Sequence, residues 1–144
     1  MKRKRQAAQA LPRCVLDSGG VTALVGRSQS ARAWLRWVVT HGGDVVVPTP
    51  VLAECTTGQP SRDAEINRVL GVLDRFGNAL RAPAEATARL AGALRFSART
   101  DDGIDALVAA EAAGESRASV LLTSDPKDLA KLLANNPHVS VRRV

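Results

Sequence analysis

Four acidic residues are set along the chain where they would do chemistry if they met: Asp17, Glu54, Asp105 and Asp125. Each adjoins an apolar segment, as in Val15-Leu16 before Asp17 and Val51-Leu52-Ala53 before Glu54. Carboxylate oxygens with bound water suit Mg²⁺ or Mn²⁺. One or two such ions polarise a phosphodiester, lower the pKa of a bound water and stabilise both attacking and leaving oxygens. Ser18 and Thr123 place hydroxyls beside two of the acids, where they would orient a carboxylate or hold a metal-bound water. Taken singly, each acid has a plainer reading. Asp17 and Asp125 suit helix caps, Glu54 a solvated helix position, and Asp105 a first-turn acid favoured by the helix dipole. Only convergence would make a site, so the elements that carry them decide the matter.

The chain alternates short apolar runs with helical periods. Residues 13–16 are too few for a helix and stop at Asp17-Ser18-Gly19-Gly20, which predicts a strand. A short helix is expected over 21–25 and a longer one over 30–40, with Ala33, Trp34, Trp37 and Val38 on one side and Gly42-Gly43 closing it. Val45-Val46-Val47 is a β-branched run between Gly43 and Pro48, a second strand. Pro50 suits the first turn of the helix holding Glu54. Ser61 is placed to cap the next helix, which keeps its period through Ile66, Val69, Leu70 and Leu73. A weak strand at 79–81 and a helix to about residue 98 follow. Residues 104–113 read as an alanine-rich helix, 119–123 as a buried strand, 126–133 as a helix and 139–141 as an edge strand.

Strands separated by helices predict a single α/β domain: a parallel central sheet with helices on both faces. Asp17 and Asp125 then follow the carboxyl ends of the first and fourth strands. Glu54 is early in the helix leaving the second strand. Asp105 opens a helix that must run back before the fourth strand begins. All four start from the carboxyl edge, where open α/β sheets bind ligands.

Composition sets the bounds. The 144 residues suit one domain, expected over 13–144 behind a basic tail at 1–12. Two cysteines, Cys14 and Cys55, are too few for a disulfide scaffold and are expected as buried thiols in a reducing compartment. No apolar run approaches the roughly 20 residues of a membrane span. The basic start lacks the apolar stretch of a signal peptide, so the expected location is cytoplasmic. Net charge is +6, and +10 once four gathered acids are set aside, a field that attracts polyanions or an acidic protein partner.

The segments Val15-Leu16-Asp17-Ser18, Val51-Leu52-Ala53-Glu54, Asp105-Ala106-Leu107-Val108-Ala109-Ala110 and Leu122-Thr123-Ser124-Asp125-Pro126-Lys127-Asp128-Leu129 resemble the successive motifs of the PIN domain. Their order and spacing are close to the VapC toxins of bacterial toxin–antitoxin pairs, over nearly the whole chain from Arg13. The resemblance implies a PIN-like sheet of strand order 3-2-1-4-5 and a Mg²⁺- or Mn²⁺-dependent endoribonuclease acting on RNA. It further implies a homodimer held inactive by a cognate antitoxin protein. Gly19 departs from the pattern, where serine, threonine or asparagine is common, and so does Leu129, where an aromatic is. Asp128 stands beside or in place of Asp125 as the fourth acid. The other reading is a binding module of the same fold with little activity. A different Mg²⁺ phosphotransfer domain is disfavoured by the lack of a Gly-rich phosphate loop. Asp101 and Asp102 read as loop and cap residues, the tryptophans as core or partner groove, and His41 and His138 as capping or surface groups.

Overall fold

The computed structural model describes residues 11–144. The expected basic tail therefore lies outside the described residues except for Leu11 and Pro12. Pro12 is already tied to the sheet, since its carbonyl accepts from the Asp44 N–H at 3.3 Å.

Five strands among the described residues form one parallel sheet: β1 (Arg13–Leu16), β2 (Asp44–Pro48), β3 (Leu80–Arg81), β4 (Ser119–Thr123) and β5 (Val139–Arg143). Their order is β3-β2-β1-β4-β5, as the motif resemblance implied. β1 and β4 are buried at every residue, as only strands covered on both faces can be. Leu16 pairs with Leu122, so both central strands end at one level.

Among the described residues seven helices connect and cover the strands: α1 (Ser18–Val25), α2 (Gln29–Thr40), α3 (Leu52–Cys55), α4 (Pro60–Asp74), α5 (Glu85–Ala98), α6 (Gly103–Ala113) and α7 (Pro126–Leu132). A 3₁₀ turn, Thr49–Val51, joins β2 to α3. α6 lies over β1, β2 and β4, with α5 packed along it. The alanine run suits that place. Ala106, Ala109, Ala110 and Ala112 are all buried, and small side chains let helix and sheet approach closely. Gly20 serves the same purpose on α1, where a Cβ would stand 2.5 Å from the Leu122 carbonyl oxygen.

Three local expectations change. Ser61 does not cap α4. The helix starts at Pro60 after Gln59, and Asp63 turns its carboxylate back to accept from the Thr57 and Gly58 N–H groups at 2.9 and 2.8 Å. The inward side of α2 is formed by Ala31 and Val38, with Trp34 partly buried, while Ala33 is exposed and Trp37 half exposed. Cys14 is buried but Cys55 only partly so, and both are free thiols. Burial, and then the Asp44 charge, push Cys14 up to about 12, so it stays an inert thiol. Among the described residues no helix is long and apolar enough to cross a membrane.

Candidate active site

β1 delivers Asp17 to the point where the strand order reverses, beside β4. The carboxylate is buried, at 7% exposure, and its two oxygens have separate duties. Oδ1 accepts from the Gly20 N–H at 2.8 Å and caps α1. Oδ2 accepts from Thr123 Oγ1 at 2.6 Å and joins the ends of β1 and β4. The cap and the site are thus one residue. Burial raises the Asp17 pKa above its ordinary value, while the bonds from Thr123 and Gly20 oppose that rise.

Glu54 stands exposed in the first turn of α3, and Ser18 Oγ donates to its Oε1 at 3.4 Å. Asp105 is half-buried in the first turn of α6, where its N–H is capped by Asp102 Oδ1 at 2.9 Å. Its pKa is pushed up to about 6, by burial first and then by the charges of Asp102, Asp17, Glu54 and Asp128. That shift reports a shared field: four other acids act on one carboxyl group. α7 divides its two acids. Asp125 caps the helix through Oδ1, which accepts from the Lys127 N–H at 3.4 Å, and its own N–H donates to Thr123 Oγ1 at 3.1 Å. Asp128, almost one turn on, is the α7 acid whose charge is felt at Asp105.

Among the described residues, none of Asp17, Glu54, Asp105, Asp125 and Asp128 forms an ion pair with lysine or arginine. Nor do any three His, Cys, Asp or Glu side chains there stand close enough to form a ready-made cage for an ion. The donor set still fits Mg²⁺ or Mn²⁺ by charge and type, because Mg²⁺ keeps several waters and takes only one or two protein carboxylates.

Gly19 and Ser124 had no connection in the sequence and are neighbours here. A Cβ on Gly19 would collide with Ser124 Oγ and stand 2.7 Å from its backbone nitrogen. The serine occupies the space in which a longer residue at 19 would sit. Nothing in the local sequence of either residue signals that contact, since it depends on β1 and β4 being adjacent. The histidines and tryptophans lie elsewhere. His41 Nδ1 lies 2.7 Å from the Trp37 carbonyl at the end of α2, and His138 Nε2 lies 3.1 Å from the Ala113 carbonyl. Trp34 and Trp37 meet edge to face at 6.1 Å, and the Arg142 guanidinium lies 5.5 Å from the Trp34 ring centre.

The sequence matches no protein-family model and no curated protein sequence. Solved structures do match. A chain in the crystal structure of VapBC2 from Rickettsia felis, bound to a DNA fragment from their promoter, superposes with a TM-score of 0.67. That match has 15% identity and covers 92% of this chain and 98% of that one. A chain in the structure of FitAB bound to an IR36 DNA fragment gives a TM-score of 0.62 at 19% identity, covering 90% and 94%. At such identities the likeness is one of fold. It bears out the PIN-like architecture read from the motifs.

Proposed function

We propose that this chain is a metal-dependent endoribonuclease, the toxin of a toxin–antitoxin pair, with Asp17, Glu54 and Asp105 holding Mg²⁺ or Mn²⁺. The fourth acid comes from α7: Asp128 by its field at Asp105, or Asp125 by its place beside Thr123. The observation that carries the reading is the gathering of acids at the carboxyl edge of the sheet, without ion-pair partners among the described residues, in a chain of net charge +6. A bound ion there would lower the pKa of a water and stabilise charge on the phosphodiester oxygens. The chain's own residues do the rest. Thr123 fixes the Asp17 carboxylate, Ser18 steadies Glu54, and Asp102 holds the N-terminal turn of α6 that presents Asp105. Basic residues around the edge carry the RNA strand by its phosphates. The fold neighbours, VapBC2 on promoter DNA and FitAB on DNA, support a cognate antitoxin as partner, and the motif resemblance supports a homodimer.

A second reading, a binding module of this fold with little activity, is favoured by the lack of a ready-made three-acid cage among the described residues. Labelled RNA separates the two. Cleavage is expected with Mg²⁺ or Mn²⁺, is abolished by EDTA, and falls at least about a hundredfold in Asp17→Asn, given what single charge-stabilising groups contribute. Asparagine keeps an oxygen for the Gly20 cap, so the fold survives the change. Cleavage that persists through both chelation and the mutation would sink the metal site. No cleavage of any RNA, together with tight binding of a protein partner, selects the module.

A further inference from the structure

Phe96 is the most exposed large apolar side chain among the described residues, at 87% against 39–51% for the next four. It lies on the last turn of α5, three residues before Arg99 ends that helix in a left-handed conformation (φ 55°). A groove of about 520 Å³ opens beside it, lined by Gly92, Arg95, Phe96, Arg99, Thr100 and Asp101. A second hollow of about 280 Å³ shares Gly92 and Arg95 and continues between α5 and α6 past Gly103. A Cβ on either glycine would meet nothing within 4 Å, so the groove floor is open space. Glycine inside a helix costs about 1 kcal/mol against alanine, and here Gly92 keeps a channel clear. The groove ends at Asp101, one residue from the Asp102 that caps the Asp105 turn.

We propose that this groove seats a single RNA strand next to the carboxylate cluster, one base stacking on the Phe96 ring while Arg95 and Arg99 take adjacent phosphates. An exposed aromatic ring flanked by arginines is the combination that holds single-stranded nucleic acid without reading its sequence. Neither arginine forms an ion pair among the described residues, whereas Arg89, one to two turns back, is paired with Glu85 at 2.9 Å. A second copy of this chain fits less well. A two-fold contact centred on Phe96 would set Arg95 and Arg99 against their own images, with Asp101 the one acid of the lining to offset them. The proposal rests on the nuclease reading for its ligand, but binding is measurable without cleavage.

The test is fluorescence anisotropy of a short labelled oligouridine in EDTA, with wild type, Phe96→Ala, Phe96→Trp, Gly92→Leu, Arg95→Gln and Arg99→Gln. Phe96→Ala is expected to weaken binding roughly tenfold and Phe96→Trp to retain it. Gly92→Leu, which fills the groove, weakens it while the thermal midpoint stays level or rises. Each arginine change lowers the slope of log Kd against log salt by about 0.7. Unaltered binding in Phe96→Ala overturns the proposal, as does a Phe96→Ala protein that becomes monomeric on sizing with its RNA affinity intact. Failure to bind the oligouridine at all also overturns it. Phe96-dependent binding by a protein that cleaves no RNA upholds the groove and removes the nuclease. Metal-dependent cleavage with Phe96→Ala unchanged in Kd does the reverse.

Discussion

The two edges of this sheet gather similar numbers of acids and treat them in opposite ways. At the edge where the strands begin, Asp44 takes Arg117 at 2.9 Å and Arg81 at 3.1 Å, and Glu115 takes Arg117 at 2.6 Å. Arg13, 3% exposed, grips Glu111 with one nitrogen on its side chain at 2.6 Å and another on its carbonyl at 2.7 Å. At the edge where the strands end, Asp17, Glu54, Asp105 and Asp128 share a field and no described cation pairs with them. The first arrangement pairs its charges within the chain. At the second, a hydroxyl and an N–H hold Asp17 and a hydroxyl holds Glu54, which orients a carboxylate without neutralising it. Charge left unneutralised, rather than charge itself, separates a site from a structural network.

The contrast can be broken from either side. The largest effect is expected at the paired edge: Arg13→Ala leaves Glu111, mostly buried, without its partner and lowers unfolding free energy by about 3–5 kcal/mol in urea titrations. Next comes pH. Asp105 binds its proton more tightly folded, at about 6, than at its ordinary value of 3.8. Its contribution to stability is therefore complete below about pH 4 and lost as pH rises through 6, by an amount on the order of 2 kcal/mol allowing for partial exposure. Asp17 shifts in the same direction. The metal-free thermal midpoint should fall across that window, and Mg²⁺ at pH 7 should restore it in wild type but not in Asp105→Asn. Thr123→Val, which removes the hydroxyl on Asp17, should cut RNA cleavage roughly tenfold while the protein stays folded by circular dichroism. The smallest effect sharpens the α7 assignment. Asp125→Ala should cost about 1 kcal/mol as a lost cap, with cleavage reduced less than in Asp128→Asn. Equal losses of activity would return Asp125 to the site.

Much of this was legible in the sequence, for local reasons. Apolar runs bounded by Gly and Pro mark β1, β2 and β4, and strand polarity alone brings Asp17, Glu54 and Asp105 to one edge. What was illegible depends on rotation or on distant contact. Asp125 and Asp128 are indistinguishable until α7 turns one to its own backbone and leaves the other's charge felt at Asp105. Ser61 has the chemistry of a cap, but Asp63 competes for that turn with two backbone N–H groups. Trp37 keeps the period of a buried face and still ends half exposed, while the Arg142 guanidinium lies over the Trp34 ring. The exposure of Phe96 has no signature either, since it follows from how α5 packs along α6.

α6 belongs to both edges at once. Its first turn carries Asp105 into the acid cluster, and near its other end Glu111 is held by Arg13 at the start of β1, the strand whose far end carries Asp17. Helix and strand therefore act as two beams clamped together at one end and pushed apart by like charge at the other. The spacing of the two acids is then set by the stiffness of helix and strand, and the clamp at the paired edge resists the repulsion at the other.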